Sequence, residues 1–219
     1  MIYDKDIREP LFDFLEEAYG KVRIIEEKTI GKSRADVFLV LPEEIWGLEI
    51  KSDADTYTRL ARQVKDYDRF FDRNMVVVGT SHAMHIEEHV PEHWGIITVD
   101  PLPEGPDFYI LRQPSAGTKT SWERKLSMLW RPELVMLQET FGMPRYKDKS
   151  KAFVVKAIAE KAGTLIEEEA LKKEFSRLLF ERDYTEIAGK IEAFREENKR
   201  STTVERKPKR RRKRKSKKI

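Results

Sequence analysis

The sequence predicts an α/β fold: a helix, three strands, a second helix and a further strand arranged around a mixed sheet. Three observations predict it. Residues 4 to 19, DKDIREPLFDFLEEAY, set Ile7, Leu11, Phe14, Leu15 and Ala18 at helical spacing, and Gly20 stops the run. Three strand-like runs then follow through short connections, which favours an antiparallel meander. Finally NMVVVGTS, at 74 to 81, is a short apolar run of the kind covered on both faces.

The elements follow in order. Pro10 falls within the first turns of the opening helix or kinks it. VRIIEEKTI is the first strand, GKS a turn, RADVFLVL the second strand and EIWGLEIKS the third. Asp55 is placed to cap a helix over 56–72, whose inward stripe is Leu60, Val64, Tyr67 and Phe71. After NMVVVGTS come a short helix, HAMHIEEHV, and a last strand, WGIITVD. PLPEGPDFYILRQPSAGT, at 101 to 118, reads as a boundary because of its Pro and Gly. Helices are expected beyond it. Pro132 starts one that Gly142 ends, SKAFVVKAIAEKAG forms another, TLIE opens a third to about Arg182, and a last spans about 185–199. The expected organisation is an α/β domain over 1–115, a helical region over 116–199 and a disordered basic tail over 200–219.

Composition narrows the function. The chain of 219 residues contains no cysteine, which excludes disulfides and Cys-based zinc sites and fits a reducing, cytoplasmic setting. No stretch approaches the ~20 apolar residues of a membrane span. The net charge of +4 averages two different regions. Residues 206 to 218, RKPKRRRKRKSKK, hold eleven Lys and Arg; without them 32 basic residues face 39 acidic ones. Arg210, Arg211, Arg212, Lys213 and Arg214 form the densest part of this tail and suit a nucleic-acid backbone, whose neutralisation releases counterions.

In the third strand Trp46, Leu48 and Ile50 point one way, while Gly47, Glu49 and Lys51 point the other. Alone, Glu49 and Lys51 read as a salt bridge across one face. The second strand, however, carries a single acid, Asp36, in an apolar run. Two carboxylates on adjacent strands are costly unless something neutralises them. A divalent cation such as Mg²⁺ takes oxygen ligands and keeps waters and phosphate oxygens. Lys51 is then placed to polarise an attacking water and offset charge on a phosphorus centre.

Asp36, twelve intervening residues and then Glu49-Ile50-Lys51 resemble the D…(D/E)xK core of PD-(D/E)xK nucleases, with Ala35 where the name has proline. Gln63 and Tyr67 resemble the QxxxY element of the RecB-like branch. The resemblance implies a restriction-endonuclease-like core of αβββαβ order. DKDIR, RADV, EIKSDADTYTRLARQVKDY, VPEHWGII and LWRPEL also resemble a bacterial and phage family named from a Sorangium protein. Together they imply a DNA-hydrolysing enzyme of repair, recombination or phage biology that uses Mg²⁺ or Mn²⁺. Asp36 and Glu49 would be the metal ligands with Glu27 as a further acid, Lys51 the catalytic lysine supported by Gln63 and Tyr67, and Arg34 a phosphate contact. The helical half is expected to dock a protein partner, dimerise the chain or add DNA contacts.

Two other readings stand beside this one. A nuclease-like scaffold could bind nucleic acid or a protein without cutting. HIEEH also fits H-x-x-E-H, with His85 and His89 as zinc ligands and Glu88 as the base of a peptidase. The short helix ending near Pro91 favours instead a polar outer face for these residues.

Overall fold

The computed structural model describes residues 3–117 and 119–183, together with 189 and 193. Helix α1, Asp4–Tyr19, runs unbroken through Pro10. Strands β1 (Arg23–Ile30), β2 (Ser33–Val40) and β3 (Ile45–Lys51) form the antiparallel meander. Helix α2, Leu60–Phe70, crosses to β4, Arg73–Gly79, which pairs parallel with β3. Helix α3, Thr80–Ile86, leads to β5, Gly95–Leu102, parallel to β4. A further strand, β6, Gly105–Arg112, closes the sheet antiparallel to β5, giving the order β1-β2-β3-β4-β5-β6.

The αβββαβ order and the mixed sheet are as expected, but three local expectations are corrected. Residues 101–118 are not all boundary, because β5 extends to Leu102 and β6 follows it. The prolines hid this hairpin. Pro101 and Pro106 face each other in the register, and β6 is an edge strand that can lack a donor. Asp55 does not cap α2. Its carboxylate accepts from Ser52 N (3.0 Å) and Ser52 Oγ (2.7 Å), and a 3₁₀ turn, Tyr57–Arg59, precedes the helix. TLIE does not open its helix either. Thr164 Oγ1 donates to Lys161 O at 3.0 Å, and the helix begins only at Glu168.

Each sheet face is covered. Ile7, Leu11 and Leu15 of α1 pack on Val37, Leu39, Leu48, Ile50 and Val77. The other face carries α2 and the later helices α4 (Trp122–Ser127), α5 (Arg131–Thr140), α6 (Lys151–Ala159) and α7 (Glu168–Phe180). Leu126, Leu134, Val154 and Leu171 of those helices join Phe38, Val76 and Ile96 in one hydrophobic cluster. The chain changes from sheet to helix between Arg112 and Trp122, and Met1–Arg182 forms one compact unit. Arg182 closes that unit. Its guanidinium donates to both Glu133 oxygens at 2.7 Å and lies 4.3 Å over the Trp130 ring. The expected helix over 185–199 and the basic tail lie outside the described residues.

Candidate active site

The site begins where the β2–β3 ladder opens. Register pairs run from Val40↔Ile45 to Val37↔Leu48, and Asp36 and Glu49 lie just beyond. There Ile50 N donates to the Asp36 carboxylate, Oδ2, at 3.0 Å rather than to a facing carbonyl. Tyr67 of α2 fills the opening. Its hydroxyl accepts from Asp36 N at 3.1 Å, and its one proton faces Leu48 O at 3.1 Å and Glu49 Oε2 at 2.8 Å. Burial, with the charges of Glu49 and Asp36, holds the phenol well above its ordinary range, so it stays a donor. Gly47 permits this approach. A Cβ there would stand 2.7 Å from Tyr67 Cδ1 and closer still to the Phe71 ring.

Glu49 and Lys51 are both buried, on the α2 side of the sheet as strand alternation requires. Glu49 Oε1 accepts from Lys51 Nζ and from Gln63 Nε2. Gln63 and Tyr67 are four residues apart on α2, so they share a face and grip both oxygens of one carboxylate. Gln63 Oε1 is buried and has no hydrogen-bond partner among the described residues. Asp36 is less satisfied than Glu49. Arg8 of α1 donates to Asp36 O at 3.4 Å but stands 4.0 Å from the carboxylate Oδ1. Burial, with the Glu49 charge adding to it, pushes the Asp36 carboxyl up to about 7.

These groups open into a polar cleft of ≈ 350 Å³. Besides the acids, Lys51 and Gln63, its lining includes Arg8, Lys32, Arg34, Arg59 and Arg62. Arg34 is exposed, as a phosphate contact would be. Arg8, Lys32, Arg59 and Arg62 escaped the sequence reading. For Arg59 a signal existed: it precedes Gln63 by four residues, one helical turn. Lys32 and Ser33 are held by Asp66 of α2, whose Oδ2 accepts from Lys32 N (3.1 Å) and Ser33 Oγ (2.7 Å).

The structure brings together Asp36, Glu49, Lys51, Gln63, Tyr67 and Arg34, but it does not bring Glu27 into the cleft. Glu27 has φ +53° at a gap in the β1–β2 register, and its exposed carboxylate pairs with Arg34 at 3.5 Å. Arg210, Arg211, Arg212, Lys213 and Arg214 lie outside the described residues. The histidines diverge. His82 and His89 flank the Tyr57 ring, whereas His85 faces Glu88 at the surface at 3.4 Å. Among the described residues no group of three His, Cys, Asp or Glu side chains is placed to hold a metal ion. Asp36 and Glu49 can therefore supply two carboxylates, with water or substrate oxygens left to complete a hard-cation shell.

Tyr67→Phe tests the opened ladder. The change strands Asp36 N, Leu48 O and one Glu49 oxygen, and leaving such groups unpaired costs about 1–3 kcal/mol. Urea unfolding should show that loss. An unchanged midpoint would mean that the hydroxyl does not hold the two strands.

A family model described as bacteriophage P4 protein cII matches residues 2–214. Among solved structures, the chain is similar to SfsA of Pyrococcus furiosus in complex with Ca²⁺, with 17% identity and a TM-score of 0.30. That match covers 48% of this chain and 59% of the other. A comparison with curated proteins finds no match.

Proposed function

The chain belongs to the bacteriophage P4 protein cII family, and we propose that it is a metal-dependent nuclease of the PD-(D/E)xK type that hydrolyses DNA phosphodiester bonds. One observation carries the reading: Asp36, Glu49 and Lys51 meet in one basic-rimmed cleft at the point where two strands part. The donor set fits Mg²⁺ or Mn²⁺. A buried carboxylate, Glu49, and a half-buried one, Asp36, face the cleft, the latter held near 7 by burial and its neighbour's charge, and the buried amide oxygen of Gln63 has no hydrogen-bond partner among the described residues. Asp36 and Glu49 would hold the ion. When bound, it offsets charge on a phosphoryl oxygen and lowers the pKa of a water.

The protein's own groups divide the remaining work. Lys51 lies on Glu49 and can pass to an attacking water or a phosphate oxygen, with Gln63 Oε1 as a second acceptor for its ammonium. Gln63 and Tyr67 fix the Glu49 carboxylate as positioning residues. Arg34, Arg59 and Arg62 offer guanidinium forks that match a strand's phosphates. The tail, Arg210 to Arg214 at its densest, holds DNA nearby without reading its sequence.

Plasmid, linear and branched DNA, and RNA, are to be incubated with the protein in Mg²⁺, Mn²⁺ or EDTA. The expected outcome is metal-dependent cleavage of DNA that disappears in Lys51→Ala. Cleavage that survives that change would sink the mechanism. A second reading, a scaffold that binds without cutting, draws on the fact that both Glu49 oxygens are already engaged. Absence of both cleavage and metal affinity would favour it.

A further inference from the structure

The Lys28, Lys151 and Arg182 side chains converge on two successive carbonyls at the end of α4. Lys28 Nζ donates to Met128 O at 3.4 Å and Arg182 Nη2 donates to the same oxygen at 3.3 Å. Lys151 Nζ donates to Ser127 O at 2.7 Å. Among the described residues the one carboxylate whose charge favours both lysines is Glu133. Glu133 is already committed, since its two oxygens take Arg182 and its Oε2 also accepts from Trp130 N at 2.6 Å. Three cations therefore share one neutralised acid. Their mutual repulsion is visible in Lys28, which burial and then the charges of Arg182 and Lys151 bring down to about 8, and burial also lowers Lys151.

The carbonyls at the end of α4 accept one hydrogen bond from each lysine but carry no full negative charge, so the cluster keeps a net positive charge that an anion would offset. Each ammonium has three N–H donors and spends one on a carbonyl. The remaining donors suit an oxyanion with several acceptor oxygens. Lys28 is half-buried and Lys151 exposed, so the cluster is open to a long ligand. The chain leading to Lys151, residues 145–151, adds Lys147 and Lys149 against the single acid Asp148. That extends the positive surface along a strand rather than around one small ion.

We propose that Lys28 and Lys151, braced by Arg182, form a phosphate-binding site that holds the backbone of a nucleic-acid strand apart from the Asp36–Glu49 pair. The site deepens the nuclease reading by adding a second hold on its substrate, but its test reads binding and not cleavage. The full-length protein and its K28Q/K151Q variant are to be titrated with a DNA duplex in EDTA over a chloride series, with thermal unfolding as a check on folding. Each lysine on a phosphate adds about 0.9 to the slope of log K against log salt, so the variant should lose about 1.8. K28R/K151R should keep the slope, because charge and not the lysine shape sets it. An unchanged slope in a folded K28Q/K151Q protein overturns the proposal. So does a site that takes inorganic phosphate, read by NMR shifts of the two lysines, while the DNA slope stays the same. Loss of the nuclease reading would leave the binding result standing.

Discussion

Asp36→Asn is expected to abolish metal-dependent cleavage while making the metal-free protein more stable at neutral pH. The amide keeps an oxygen for Ile50 N, so the opened ladder survives. It loses the negative charge that a cation would need. Loss of several kcal/mol of charge stabilisation lowers the rate on the order of 10³-fold. Stability moves the opposite way. The Asp36 carboxyl rises from 3.8 to about 7 in the fold, by burial first and then by the nearby Glu49. A raised carboxyl favours the native state in its protonated form. That contribution is fully present below about pH 4 and is lost as pH climbs through 7. About three pKa units correspond to at most about 4 kcal/mol. Urea midpoints in EDTA should therefore diverge from pH 4 to 8, with the variant increasingly the more stable. Midpoints that stay parallel would remove the buried-charge account of this site. Mg²⁺ should stabilise the wild type and not the variant, since only a ligand of the native state adds to stability.

Arg182→Met should cause the largest loss of stability. Arg182 is 1% exposed and reaches Glu133, whose side chain is 3% exposed. Removing the arginine leaves a buried carboxylate that still accepts from Trp130 N. Breaking a buried pair on one side costs about 3–5 kcal/mol. The double variant Glu133→Gln/Arg182→Met should recover much of that, because no charge is then stranded. Chemical denaturation of the three variants measures the coupling. Additive losses would show that the two residues act independently.

Much of the fold could be read from spacing. The heptad-like stripe of α1, the alternation of Trp46, Leu48 and Ile50 against Glu49 and Lys51, and the apolar β4 are local patterns, and each formed where its period placed it. The β5–β6 hairpin was hidden because Pro101, Pro103, Pro106 and Gly105 carry a loop's composition. Only its place at a sheet edge makes those prolines tolerable. Asp55 and Thr164 were misread for a related reason. Short polar side chains can bond several nearby backbone or hydroxyl groups, and packing selects among them.

The site divides in the same way. Asp36, Glu49, Lys51, Gln63 and Tyr67 were legible, because a strand's two-residue period and a helix's four-residue step assign each a face. The parting of β2 from β3, the Tyr67 hydroxyl between them and the arrival of Arg8 from α1 were not. Nor was the exclusion of Glu27, which depends on a positive φ in β1. The sequence by itself determined that Glu49 and Lys51 share one face of β3 and Gln63 and Tyr67 one face of α2, since facing depends on local geometry. The tertiary structure alone decided how their charges balance, since burial and the approach of α1 and α2 set the dielectric and the partners that each charge meets.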